Sequence, residues 1–119
     1  MLTNNHIEIA ENIGEAAASC AALISERLRL ALAERPFATL ALSGGSTPAK
    51  LFPILAAAPL AWERIHVFFA DERMVPPDND ASNFRLARRL LLEPAGVPQS
   101  NIHRIHGERD PEEAADVYE

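Results

Sequence analysis

The sequence predicts an α/β fold: an open parallel sheet with helices on both faces, present here only in part. Three observations carry this. Two short apolar runs, Phe37-Ala38-Thr39-Leu40-Ala41-Leu42 and Ile65-His66-Val67-Phe68-Phe69-Ala70, read as buried strands. Each empties into a polar or glycine-rich loop and then into a helical segment. Alternation of this kind implies a parallel sheet whose ligands bind beyond the C-terminal ends of its strands.

The elements follow in order. Residues 6–10, His-Ile-Glu-Ile-Ala, alternate apolar and polar and predict a short edge strand. From Glu11 to Glu34 the chain is rich in Ala and Leu. Ala17, Cys20, Ala21, Ile24, Leu28 and Ala31 fall at helical spacing, which predicts a long amphipathic helix. It stops at Arg35, because a residue before proline is pushed out of the helical region. The first apolar run leads into Ser43-Gly44-Gly45-Ser46-Thr47-Pro48 and a helix over about 48–57, and Pro59 and Glu63-Arg64 close that unit. The second run is the clearest strand, since β-branched and aromatic residues dominate it. After it come Asp71-Glu72-Arg73-Met74-Val75-Pro76-Pro77 and a polar loop. Ser82 is a good N-cap for a helix over about 83–93, with Pro94 and Gly96 beyond it. Residues 101–105 predict another short strand. Asp110-Pro111-Glu112-Glu113 starts a last helix: a cap, a proline at the first position, acids in the first turn. That helix has barely begun at Glu119 and shows no C-cap signal, so the chain is expected to be part of a larger fold.

Length predicts one domain over 1–119. The composition is that of a globular protein, 48% hydrophobic and 24% charged. No stretch approaches the roughly 20 apolar residues of a membrane span, and the N-terminus lacks the pattern of a signal peptide. Cys20 is the sole cysteine, which excludes an internal disulfide and fits a reducing cytoplasm. The net charge of −6 argues against nucleic-acid binding, which needs a basic footprint. An anionic small molecule remains compatible, because a site can be locally positive. All the basic residues except Lys50 are arginines, which match phosphate and carboxylate geometry.

Three segments carry candidate chemistry. Gly44 and Gly45 let the backbone approach a ligand closely, and Ser46 and Thr47 add hydroxyls. The following helix N-terminus points free N–H groups at the same place, which suits a phosphate. A tight strand-to-helix turn with a capping hydroxyl is the alternative, and the spacing is not that of a P-loop. Asp71-Glu72-Arg73 leaves the second strand directly. Asp71 is placed to orient a hydroxyl or take a proton, and Arg73 to clamp a phosphate through two N–H groups. The alternative there is a polar loop with an internal ion pair. Ser82-Asn83 reads first as a helix cap, with any ligand contact additional. His66 reads as a packed or edge residue. His103 and His106 lack the further ligands a metal needs, so no metal site is expected. Cys20 lies mid-helix with nothing to activate it, no Gly-x-Ser-x-Gly elbow is present, and Arg88 is expected on an exposed helix face.

In conjunction, Leu-Ala-Leu-Ser-Gly-Gly-Ser-Thr-Pro (40–48), Trp-Glu-Arg-Ile-His-Val-Phe-Phe-Ala-Asp-Glu-Arg-Met-Val-Pro-Pro (62–77) and Asp-Ala-Ser-Asn-Phe-Arg-Leu-Ala (80–87) resemble the 6-phosphogluconolactonase family over nearly the whole chain. The wider group includes glucosamine-6-phosphate deaminases and isomerases, which show Asp-Glu-Tyr where this chain has Asp71-Glu72-Arg73. Arg73, Val75-Pro76-Pro77 and the Phe68-Phe69 strand favour the lactonase branch. The resemblance implies an open α/β fold of Rossmann-like type and hydrolysis of 6-phosphogluconolactone to 6-phosphogluconate, in the pentose phosphate pathway, without an organic cofactor or required metal. It implies a sugar-phosphate site lined by Gly44, Gly45, Ser46 and Thr47, with Asp71 in a supporting role, Arg73 as anion contact, and Ser82 and Asn83 shaping the loop. Family members are about twice this length. Their expected general-base His lies in a C-terminal Gly-rich segment that this sequence does not contain, and neither His103 nor His106 matches it. An amino-sugar-phosphate isomerase or deaminase, and a non-catalytic sugar-phosphate-binding domain, are the alternatives. An exposed sheet edge would make the chain prone to self-association.

Overall fold

The computed structural model describes residues 7–119. Helix α1 spans Ile13–Glu34, and the side chain of Asn12 caps it by accepting from the Glu15 amide at 2.9 Å. Arg35, in extended conformation before Pro36, ends it. Strand β1 (Ala38–Leu42), helix α2 (Ser46–Ala56) and strand β2 (Ile65–Phe69) follow. A helical stretch then runs from Asn83: α3 (Asn83–Ala87), a π turn (Arg88–Leu92) and the short α4 (Glu93–Ala95). Strand β3 is Ile102–His103, and α5 is Pro111–Tyr118.

The three strands form one parallel sheet in the order β1-β2-β3. Registered neighbours in such a sheet point the same way, so side chains sort by face. Ala38, Leu42, Ile65, Val67 and Phe69 all point to one face and are buried. Leu28 of α1, Phe52 and Leu55 of α2, and Ala87, Leu91 and Leu92 of the next helix join them in a single core. The crossovers β1-α2-β2 and β2-α3-β3 advance in one direction, and same-handed crossovers that do so put their helices on one side. The opposite face carries Thr39, Ala41, His66, Phe68 and His103, all exposed or half-buried. On that side, among the described residues, α5 places Val117 and Tyr118 around a cavity shared with Phe68 and His103.

Several boundaries differ from expectation. Residues 7–10 form no strand, and Ile7 and Ile9 are 83% and 94% exposed, because alternation without a partner strand buries nothing; His6 lies outside the described residues. Cys20 is exposed at the margin of the Ala17, Ala21 and Leu28 stripe. Helix α2 begins at Ser46 instead of Pro48. Pro94 does not stop its helix: the preceding π turn lets the Glu93 amide reach back to the Arg88 carbonyl. Gly96, at φ 74, then ends it in the left-handed region. Arg88 is half-buried, its Nε without a hydrogen-bond partner and 3.7 Å from Glu93.

Two polar devices fix the layers. The Arg64 guanidinium, at the start of β2, donates to the Leu32, Arg35 and Pro36 carbonyls at 2.6–2.8 Å. It thereby satisfies the C-terminal end of α1, where a cation is favoured. Asn101 is buried and donates to the Glu63 and Ile65 carbonyls, which ties the start of β3 to β2.

Candidate functional site

The loops leaving all three strands converge at one end of the sheet. The Ala70 amide donates to the Leu42 carbonyl at 2.9 Å, so β1 and β2 stay paired to their last residues and release their loops side by side. Gly45 takes φ 113, a conformation open to glycine, and turns the chain directly into α2. No side chain caps that helix. Ser46 and Thr47 are its first two residues, both exposed, and their amides are among the four donors that a helix N-terminus leaves without internal partners.

Gly44 serves a different purpose. A Cβ there would lie 1.9 Å from Asn83 Oδ1 and 2.4 Å from its Cγ, so the absent side chain makes room for Asn83. Asn83 is 6% exposed, and its Nδ2 donates to both the carbonyl and Oδ1 of Asp71, each at 3.3 Å. Asn83 thus stands between the loop after β1 and the loop after β2. Ser82 caps α3 as expected, accepting from the Arg85 amide. Its hydroxyl also donates to Glu72 Oε2 at 2.9 Å. Glu72 accepts in addition from the amides of Arg73, Asn83 and Phe84 at 2.8, 2.6 and 3.0 Å. Asp71 and Arg73 are exposed on either side of it. Arg73 forms no ion pair among the described residues, so the polar loop is not closed by the internal pair that was the alternative.

The loop after β3 completes the cluster. Gly107 packs so closely on the backbone of residues 73–75 that a Cβ would meet the Arg73 carbonyl oxygen at 2.2 Å. Beside it, Arg104 makes a two-pronged bond to Glu108 at 3.0 and 2.6 Å, with its guanidinium carbon 5.7 Å from the Phe84 ring centroid. Donation from Arg104 holds the Glu108 carboxyl at about 2, well below its usual 4.5, and the same bond raises Arg104. A depressed carboxylate adds stability above its unfolded pKa, and that stability is lost as pH falls through the folded value. Glu108→Gln is therefore expected to flatten the acid limb of stability between pH 4.5 and about 2. Because the Glu108 side chain is 35% exposed, the loss at pH 7 should stay below about 1 kcal/mol. Urea midpoints at neutral and acid pH check both statements.

Two sizeable cavities lie away from the glycine loop. One of about 420 Å³ is bounded by Phe68, His103, Arg104 and Tyr118, and another of about 460 Å³ by Met74, Ile105, Ala114 and Tyr118, touching Asp71 and Glu72. The Gly44–Thr47 loop itself opens to solvent. What is assembled is one wall of a site, with donors and a cation on it. His103 and His106 are not on that wall: His103 pairs with His66 across the sheet, Nε2 to Nδ1 at 2.9 Å, and His106 lies 3.8 Å from Glu108.

Comparison with known proteins decides what kind of wall this is. The family described as glucosamine-6-phosphate isomerases/6-phosphogluconolactonase matches residues 11–119. The chain belongs to this family. It is 45% identical over 97 residues to a 6-phosphogluconolactonase of Synechocystis, covering 81% of this chain and 40% of the relative. A 6-phosphogluconolactonase of Rhizobium meliloti is 39% identical over 115 residues, which is 97% of this chain and 48% of that one. Among solved structures, a 6-phosphogluconolactonase from Shewanella baltica superimposes with TM-score 0.84 at 33% identity, over 92% of this chain and 47% of that chain. The chain thus spans about half the length of the family members it matches. Glu72, which sequence reasoning left without a role, proves to be the most connected side chain of the site. Only an acid adjacent to Asp71 and Arg73 signalled it in advance.

Proposed function

We propose that this chain carries the sugar-phosphate-binding half of a 6-phosphogluconolactonase, which hydrolyses 6-phospho-D-glucono-1,5-lactone to 6-phosphogluconate. The observation that carries the proposal is the junction of the Gly44–Thr47 loop, the Asp71–Arg73 loop and Ser82-Asn83, held together by Asn83 and Glu72. In this reading the open α2 N-terminus takes the anion, Gly44, Gly45, Ser46 and Thr47 line it, and Arg73 closes on it. Asp71 supports the sugar, while Ser82 and Asn83 shape the loop. The general base comes from sequence beyond this half, and no cofactor or metal is called for. No helix among the described residues is long and apolar enough to cross a membrane. We place the protein in the cytoplasm, with no nucleic-acid partner.

The test is lactone hydrolysis by the 119-residue chain beside a version extended along its natural reading frame, with spontaneous opening subtracted. A general base is worth something like 10²–10⁴-fold, so the extended chain should exceed the short one by about that factor. Equal inactivity of both would sink the lactonase reading. It would favour an amino-sugar-phosphate isomerase or a non-catalytic binding domain.

The half-sheet has a further consequence. β1 pairs with β2 on one side, and its other edge is unpaired among the described residues, with Phe37, Thr39 and Ala41 exposed. Such an edge templates association. We expect the short chain to self-associate with rising concentration in sedimentation, and Thr39→Lys to reduce this. A strictly monomeric chain would refute it.

A further inference from the structure

We infer that Glu72 is the positioning residue of the site: it aims Asp71 and Arg73 at the ligand without touching the ligand itself. The inference rests on the sugar-phosphate reading above. A carboxylate offers about four acceptor positions, and Glu72 uses four, toward the Arg73, Asn83 and Phe84 amides and the Ser82 hydroxyl. It has no lone pair left for a substrate proton, which excludes it as a general base. Three of these donors belong to the start of α3, ten to twelve residues along the chain, so Glu72 acts as a tertiary cap. Across space Glu72 also faces the Arg104 guanidinium, itself bound to Glu108.

The geometry follows from alternation. In extended chain, successive side chains point to opposite sides. Glu72 is drawn inward onto α3, while Asp71 and Arg73 are exposed beside it. Its bond to the Asn83 amide also fixes the residue that fills the space over Gly44 and holds Asp71. One carboxylate therefore sets both the outward orientation of the two candidate ligand contacts and the spacing between the loops of β1 and β2. An isosteric amide cannot substitute. Glu72→Gln puts an NH2 group against donors and loses two acceptors at once.

The test uses the 119-residue chain with 6-phosphogluconate as probe, followed by NMR. In Glu72→Gln, amide exchange at Asn83 and Phe84 should accelerate at least about tenfold while β1 and β2 amides stay protected. Binding should weaken about tenfold, and Glu72→Asp, which keeps the charge on a shorter arm, should recover part of it. If Glu72→Gln does not fold, Glu72→Asp carries the test alone: weakened binding at an unchanged melting temperature is expected. Unchanged affinity in a variant whose α3 amides have opened would reduce Glu72 to a structural cap and overturn the inference. Absence of binding by the unmutated chain overturns the site reading instead, and the role of Glu72 with it.

Discussion

Gly107→Ala is expected to lower the melting temperature by roughly 10 °C, since overpacking costs about 1–3 kcal/mol and each kcal/mol shifts a small domain by about 4–8 °C. The added Cβ would sit 2.2 Å from the Arg73 carbonyl oxygen and 2.8 Å from that of Val75. Both obstacles are backbone, so neither can rotate aside. The turn between them is already tight, with the Val75 amide donating to the Arg73 carbonyl at 2.8 Å. The loop must move as a unit, and Arg73 moves with it. Gly45→Ala is the contrasting case: nothing lies within 4 Å of its Cβ, but φ 113 costs about 1–2 kcal/mol in backbone strain alone. Gly44→Ala collides only with the side chain of Asn83, at the expense of that residue's bonds to Asp71. Calorimetric melting of the three variants separates the mechanisms. A Gly107→Ala protein that melts with the parent would show that the three loops do not pack as described.

The same three glycines show what sequence can and cannot reveal. Gly44 and Gly45 announced a turn and a close approach to a ligand; Gly45 makes the turn, and the close approach seen at Gly44 is that of Asn83. The partner that needs the space at Gly44 is Asn83, 39 residues away, and no local pattern could name it. The strands were legible because a buried parallel strand is an unbroken apolar run, and β1 and β2 fall within one residue of expectation. Residues 7–10 misled for the complementary reason. Alternation specifies a strand only when a neighbour exists to pair with it. Ser46 and Thr47 read as capping hydroxyls before a helix at Pro48, yet the helix starts at Ser46 because Gly45 makes the turn by itself. Pro94 read as a stop, and the π turn carried the helix past it. For the site, Asp71 and Arg73 were visible as charges leaving a buried strand. Glu72 was hidden between them, because its worth lies in four bonds, three of them made by another element.

Arg73→Ala is expected to weaken 6-phosphogluconate binding about 10- to 100-fold, while Arg89→Ala leaves it unchanged. A charge-assisted hydrogen bond is worth about 1.5–3 kcal/mol, which converts to that range. The competing anion contact, the N-terminus of α2, contributes roughly 0.3–1 kcal/mol at an exposed surface, a factor of about five at most. Arg73 should therefore dominate over the Gly44–Thr47 lining of the proposed site. Its side chain is exposed and makes no ion pair among the described residues, so it is spent on nothing else. Arg89 is the proper control because it is exposed on the far helix; Arg88, half-buried near Glu93, would confound binding with folding. In a chain of net charge −6, binding should also weaken steeply with added salt, and Arg73→Ala should remove most of that dependence. Titration calorimetry at two ionic strengths measures both. Equal losses in the two variants, or a salt dependence that survives the loss of Arg73, would place the anion elsewhere on the wall.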